Sequence, residues 1–225
     1  MADPLLTPSG ARWMPDDSPP DAQRAALHRL AAALRQCTEL LMNTEAPQEE
    51  LDAAAEAAER FAARLAEAPH ERPLWGWAES SNSGDSRAMF DSSPLIGLGN
   101  PVAPPLRLTV VVNHVEGTAT FGTAYEGPPG HVHGGMIAAA FDEVLGMVQS
   151  VSGAPGMTGT LSIRYLKPTP LHREVHFTGR VDRREGRKIY TSGTLTFEGS
   201  VCATAEGLFI SVPLERMRQL AGDRQ

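Results

Sequence analysis

Between Leu106 and Val212 the chain alternates like a sheet, and a single helical pattern interrupts it. LRLTVVVN places Leu106, Leu108, Val110 and Val112 on one face by strict alternation. A second run, GTATFGTAY, covers 117–125. A helix is expected over 134–150, with Ile137, Phe141, Val144 or Leu145, and Val148 on one apolar stripe facing the sheet. Strand runs then follow at 157–166, 173–184, 187–198 and 201–212, with turns at Glu185-Gly186 and Glu198-Gly199-Ser200. The order β-β-α-β-β-β-β predicts an α+β fold in which one long helix lies against a mostly antiparallel sheet.

The helix entry carries the chemistry. In GPPGHVHGGMIAAAFDEVLG (127–146) a Pro-Gly turn leads into His133, Gly134 and Gly135. Two glycines at a helix start allow close packing and leave backbone N–H groups free for an oxyanion. Asp142 follows on the second turn, and the residues sharing its face are all small: Gly135, Ala138, Ala139 and Gly146. An acid so flanked leaves room for a ligand. Pairing an oxyanion donor with an acid or base suits acyl chemistry, with both groups expected beside the same bound atom. Glu143 falls on another face and reads as a rim acid. His133 is expected to fix the turn or the substrate by hydrogen bond, while His131 stands between rim and site. Two histidines without a third ligand make a weak metal motif, and no metal is expected. His114, His172 and His176 read as structural or exposed. No G-x-S-x-G elbow occurs and neither cysteine is placed as a nucleophile, which argues against a triad hydrolase.

The first hundred residues have another character. Residues 1–20 are rich in Pro, Asp and Ser and read as a disordered tail. Residues 21–69 read as a helical hairpin. Asp21 is the N-cap of its first helix, and the stripe is Leu27, Leu30, Leu34, Cys37 and Leu41. Pro47 takes a first-turn position in the second helix, whose stripe is Leu51, Ala55, Ala58, Ala62 and Leu65. So small a unit must pack on the main domain or on a second subunit. Residues 70–105, with five prolines, read as an irregular cover over the domain at 106–213, and 214–225 as a tail.

Charge narrows the partners. Residues 1–90 hold 15 acids against 8 arginines, and 91–225 hold 12 acids and 12 bases, for −7 overall. An acidic half beside a neutral half is not a nucleic-acid binder's pattern. No run approaches the ~18 apolar residues of a membrane span, and the N-terminus does not read as a secretory leader. Cys37 and Cys202, both in apolar patterns, read as buried reduced thiols, and the expected location is cytoplasmic. Arg180, Arg183, Arg184, Arg187 and Lys188 crowd one hairpin turn, either as a solvated tip or as an attractor of phosphates, with Arg164 and Lys167 as further cations.

The element order with HGG at the helix start resembles the hotdog fold, and more closely the PaaI-like acyl-CoA thioesterases. NPVAPPL (100–106), the 127–146 segment, MTGTLSIRYLKPTPL (157–171) and GRKIYTSGTL (186–195) carry the likeness, which spans roughly 95–213. The resemblance implies hydrolysis of an acyl-CoA thioester to acid and CoA, with no cofactor beyond the substrate's own CoA. It implies Asp142 as general base or nucleophile, and Thr158, sixteen positions on, as its partner. His133 with the Gly134 and Gly135 amides would bind the thioester carbonyl. It further implies a homodimer or dimer of dimers with sites at the subunit interface, Asp142 from one subunit and Thr158 from the other. His131, Arg164, Lys167, Arg187 and Lys188 are the candidate substrate-binding residues. A hotdog hydratase or dehydratase, or a non-catalytic acyl-CoA binding module, is the alternative.

Overall fold

The computed structural model describes residues 19–69, 87–112, 114–151 and 156–212. Helices α1 (Ala22–Met42), α2 (Gln48–Ala66) and the short α3 (Arg87–Ser92) come first. Strands β1 (Arg107–Val111) and β2 (His114–Thr120) follow, then a single 3-10 turn at Thr123–Tyr125 and the long helix α4 (Gly134–Val151). Strands β3 (Gly156–Tyr165), β4 (Glu174–Glu185), β5 (Lys188–Phe197) and β6 (Ser200–Ser211) complete it. All neighbours pair antiparallel in the order β1-β2-β4-β5-β6-β3, which leaves β1 and β3 as edges. This is the α+β hotdog arrangement expected, one sheet wrapped on one helix.

The α4 stripe is where periodicity puts it. Ile137, Phe141, Val144, Leu145 and Val148 are all buried, and Phe141 meets Phe177 of β4 edge to face at 5.4 Å between ring centres. The sheet makes room for the helix with glycine. A Cβ on Gly179 would lie 2.9 Å from Val148 Cγ2 and 3.0 Å from Val144 Cγ1. Gly179 thus lets α4 approach the strands closely.

Two strand expectations shift. β1 stops at Val111, leaving Val112 85% exposed instead of on the inner face. β2 starts at His114, not 117, and ends at Thr120 because the Glu39 carboxylate of α1 takes the Thr123 N–H and hydroxyl, both at 2.8 Å, and turns the chain.

The N-terminal helices differ more. Asp21 does cap α1, accepting from the Arg24 N–H at 2.8 Å. The leucine stripe docks only in part, however, with Leu27 lying against Gly99. Leu27 and Leu41 are exposed, Leu30 and Leu34 only half-buried, and Cys37 is exposed, against its expected burial; Cys202 is buried. α1 binds the domain through a polar face about a quarter turn away. Arg24 and His28 both reach Asp91, Arg35 donates to the Asn100 carbonyl at 2.7 Å, and Ala31 beneath them is buried. Pro47 is the N-cap of α2 and not a first-turn residue. α2 buries no residue and does not pack back along α1, so the two helices do not close as a hairpin.

The segment expected as a cover is described from residue 87. It holds α3, and Phe90 packs with Val115, Met147 and Val148. Leu95 joins the main core, and its carbonyl accepts from the Leu106 N–H at 2.9 Å. The tails at 1–18 and 213–225, and residues 70–86 with Trp75 and Trp77, lie outside the described residues.

Candidate active site

The entry to α4 is a tightly bonded turn. Gly130 takes a left-handed φ of 74° and donates its N–H to Glu126 at 2.6 Å. The His131 ring contacts the Pro129 carbonyl at 2.8 Å through Nδ1, which makes it a turn-fixing residue. The His133 N–H donates to Tyr125 O at 2.9 Å, and Val132 is buried below.

His133 is the cap of α4. Its Nδ1 accepts the Gly135 N–H at 3.0 Å, so this nitrogen carries no proton and the ring is the Nε2–H tautomer. The expectation of two free glycine amides is corrected here: Gly135 is already satisfied by the neighbouring imidazole. The Gly134 N–H has no partner among the described residues. One amide at the positive end of an 18-residue helix remains for an anionic oxygen.

Asp142 lies half-buried two turns along, and Thr158 Oγ1 donates to its Oδ1 at 2.8 Å. Both residues belong to one chain, which corrects the expectation that the threonine comes from a partner. β3 runs back along α4, so the strand's start meets the helix's middle. A register shift between Thr158 and Thr160 turns Thr158 toward the helix.

A second correction follows from helix geometry. Gly134 and Asp142 are eight residues apart, about 12 Å at 1.5 Å per residue. One chain cannot hold both against a single carbonyl group, although both flank the exposed β3 edge.

Glu143 is no rim acid. Burial, and next the charge of adjacent Asp142, push its carboxyl up to about 7, against a smaller opposing effect of a hydrogen bond from Ser93. Ser93 also accepts the Leu95 and Ile96 N–H groups, so Glu143 faces the start of the 93–106 segment. The neutral form is the one the fold favours. Stability from this group is fully present below its ordinary value of 4.5 and is lost as pH rises through about 7. Glu143→Gln, which stays neutral, should therefore exceed the parent's stability at pH 8 by on the order of 2–3 kcal/mol and match it at pH 4. Urea melts at the two pH values would show it; an equal gap at both would contradict it.

The cations are scattered. On β3, Arg164 pairs with Thr204, whose neighbours Ala203 and Ala205 face the core, so Arg164 lies on the sheet face away from α4. Lys167 is exposed beyond the end of β3 that reaches Gly134. Arg187 and Lys188 are exposed at the β4–β5 tip; Arg187 donates to Ser211 O at 3.0 Å, near the start of β3. Arg180 pairs with Asp182, and Arg183 pairs with Glu185 and stacks on Tyr190 at 3.6 Å, so part of the hairpin charge is neutralised internally. His114, His172 and His176 each face a glutamate. No described group of three His, Cys, Asp or Glu is disposed to hold a metal. An open concavity of about 580 Å³ lies on the sheet's outer face, lined by His114, Thr178, Arg180, Ser192, Thr194 and Glu206 among others, and contains none of the α4 residues.

The thioesterase superfamily model matches residues 129–203, from the turn before α4 into β6. A solved thioesterase superfamily protein is 37% identical, with a TM-score of 0.72, covering 86% of this chain and 97% of its own. The chain belongs to the thioesterase superfamily. The likeness to that structure is too long for the sheet and α4 alone and takes in N-terminal elements as well. Among curated relatives, acyl-coenzyme A thioesterase THEM4 of Bos taurus is 35% identical over 97 residues, 42% of this chain and 40% of the relative. Acyl-coenzyme A thioesterase THEM5 of Homo sapiens is 32% identical over 96 residues, 42% and 39% respectively. The match thus spans about two-fifths of these relatives' length. Among the described residues, no helix of this superfamily member is long and apolar enough to cross a membrane.

Sequence reasoning missed the capped state of Gly135, the partial burial and raised carboxyl of Glu143 and a contact of Tyr165. The last had a signal: alternation from Leu161 and Ile163 points Tyr165 to the α4 side.

Proposed function

We propose that this protein hydrolyses acyl-CoA thioesters to free acid and CoA in a site shared by two copies of the chain. The observation that carries the reading is the Thr158–Asp142 hydrogen bond beside the β3 edge, which pairs with no further strand among the described residues. It occupies Oδ1 and leaves Oδ2 to accept a proton from water. The water oxygen bonds the thioester carbon as that proton moves to Asp142. The negative charge goes to the carbonyl oxygen, facing the Gly134 N–H. Collapse breaks the C–S bond, and the proton passes from Asp142 to the departing sulfur.

Two copies solve the 12 Å problem. If the β3 edges pair antiparallel about a two-fold axis, the Asp142 and Thr158 end of one strand meets the Tyr165 and Gly134 end of the other. Each dimer then has two equivalent sites. The same pairing brings Lys167 of one copy toward Arg187 and Lys188 of the other, a set able to attract the CoA phosphates. The reading needs no cofactor beyond the substrate's CoA, and its natural setting is the cytoplasm, where thiols stay reduced. The acyl-CoA thioesterase names of the curated relatives support the substrate class.

A panel of acyl-CoA esters of graded chain length, assayed for released thiol, tests this. CoA release with at least one ester is expected. Hydration of crotonyl-CoA without thiol release would reassign the protein as a hydratase. Thermal stabilisation by the esters with no turnover would leave a binding module.

A further inference from the structure

We infer that Tyr165 is a positioning residue for the oxyanion donor. It acts through the Gly134–Gly135 peptide, and the inference rests on the thioesterase reading above. The Tyr165 hydroxyl donates to the Gly134 carbonyl at 2.7 Å. The N–H of the same peptide unit is the one that donates to His133 Nδ1 at 3.0 Å. One rigid peptide plane is therefore held at both ends, by a phenol from β3 and an imidazole from the turn. The ring also lies on the helix start: a Cβ on Gly134 would sit 3.4 Å from Tyr165 Cζ and Oη.

The adjoining peptide, between His133 and Gly134, carries the free N–H. It shares the Gly134 Cα with the pinned plane, and glycine is the residue least able to hold its own dihedrals. The far side of that peptide, the His133 carbonyl, accepts from the Met136 and Ile137 N–H groups at 2.9 and 3.2 Å, so the clamp fixes the glycine side of a plane the helix already holds at its carbonyl. With it, the amide points one way before substrate arrives, the preorganisation that makes an oxyanion donor effective. The clamp also ties the donor to β3, the strand that carries Thr158 at its other end and would pair with a second copy. Tyr165 is 51% exposed, so an aromatic ring held on a glycine at this edge adds little to the core.

The test is Tyr165→Phe, which keeps the ring and removes only the hydroxyl. The expected result is a kcat about tenfold lower, with KM within about twofold and an unchanged melting temperature. A kcat equal to the parent's, or a loss carried wholly by KM, overturns the inference. So does a loss that follows a fallen melting temperature. A second measurement replaces Tyr165 with difluorotyrosine, whose phenol ionises within the assay range. An ionised phenol cannot donate, so kcat should fall as pH rises through that ionisation while the parent's does not. A profile identical to the parent's overturns the proposal. If the unmodified protein releases no CoA from any ester, the thioesterase reading fails instead, and the two failures are distinct.

Discussion

Asp142→Asn should lower kcat by at least about 10²-fold, the low end of what a general base supplies, while the fold stays intact. Asparagine keeps an oxygen where Oδ1 stands, so Thr158 can still donate to it, as it does at 2.8 Å in the parent. The side chain is half-buried among small residues and changes neither volume nor shape, so packing is undisturbed. What disappears is the second oxygen's capacity to take a proton. Binding should survive, so KM for an accepted ester should move little while kcat collapses. Steady-state kinetics beside a melting curve would decide. Parental turnover in the Asn variant would remove Asp142 from the mechanism and, with it, the reading of the helix entry.

The legible parts of this chain were those in which one physical signal dominated. The α4 stripe from Ile137 to Val148 could be read because burial against a sheet imposes a 3.6-residue apolar period and nothing competes with it. The pairing of Asp142 with Thr158 was legible only through family resemblance, since sixteen residues and a chain reversal separate them. That both belong to one chain was not legible at all, because it depends on the direction in which β3 returns along the helix.

The N-terminal helices misled for the opposite reason. Leu27, Leu34 and Leu41 form a regular stripe, yet α1 docks through Arg24, His28, Arg35 and Glu39, which repeat with the same period. Polar docking leaves no apolar trace in a sequence. Glu143 was misread because a helix wheel separates faces but does not show what lies over each; residues 93–96 cover its face from fifty positions upstream.

The central claim is that each site joins the Gly134 amide of one copy to the Asp142 carboxylate of another, and mixing two dead variants tests it most directly. Gly134→Pro removes the N–H that meets the carbonyl oxygen, and proline is tolerated at a helix's first position, so α4 should still form. Asp142→Asn removes the base. Each homodimer should be nearly inactive. In a heterodimer of the two, one site inherits both lesions, and the other inherits an intact Gly134 from one chain and an intact Asp142 from the other. The account predicts that co-refolded mixtures, separated by differential tags, give a heterodimer with about half the parental kcat per dimer, a gain on the order of 10² over either homodimer. A heterodimer as inactive as its parents would show that both groups must come from one chain, and would contradict the shared site.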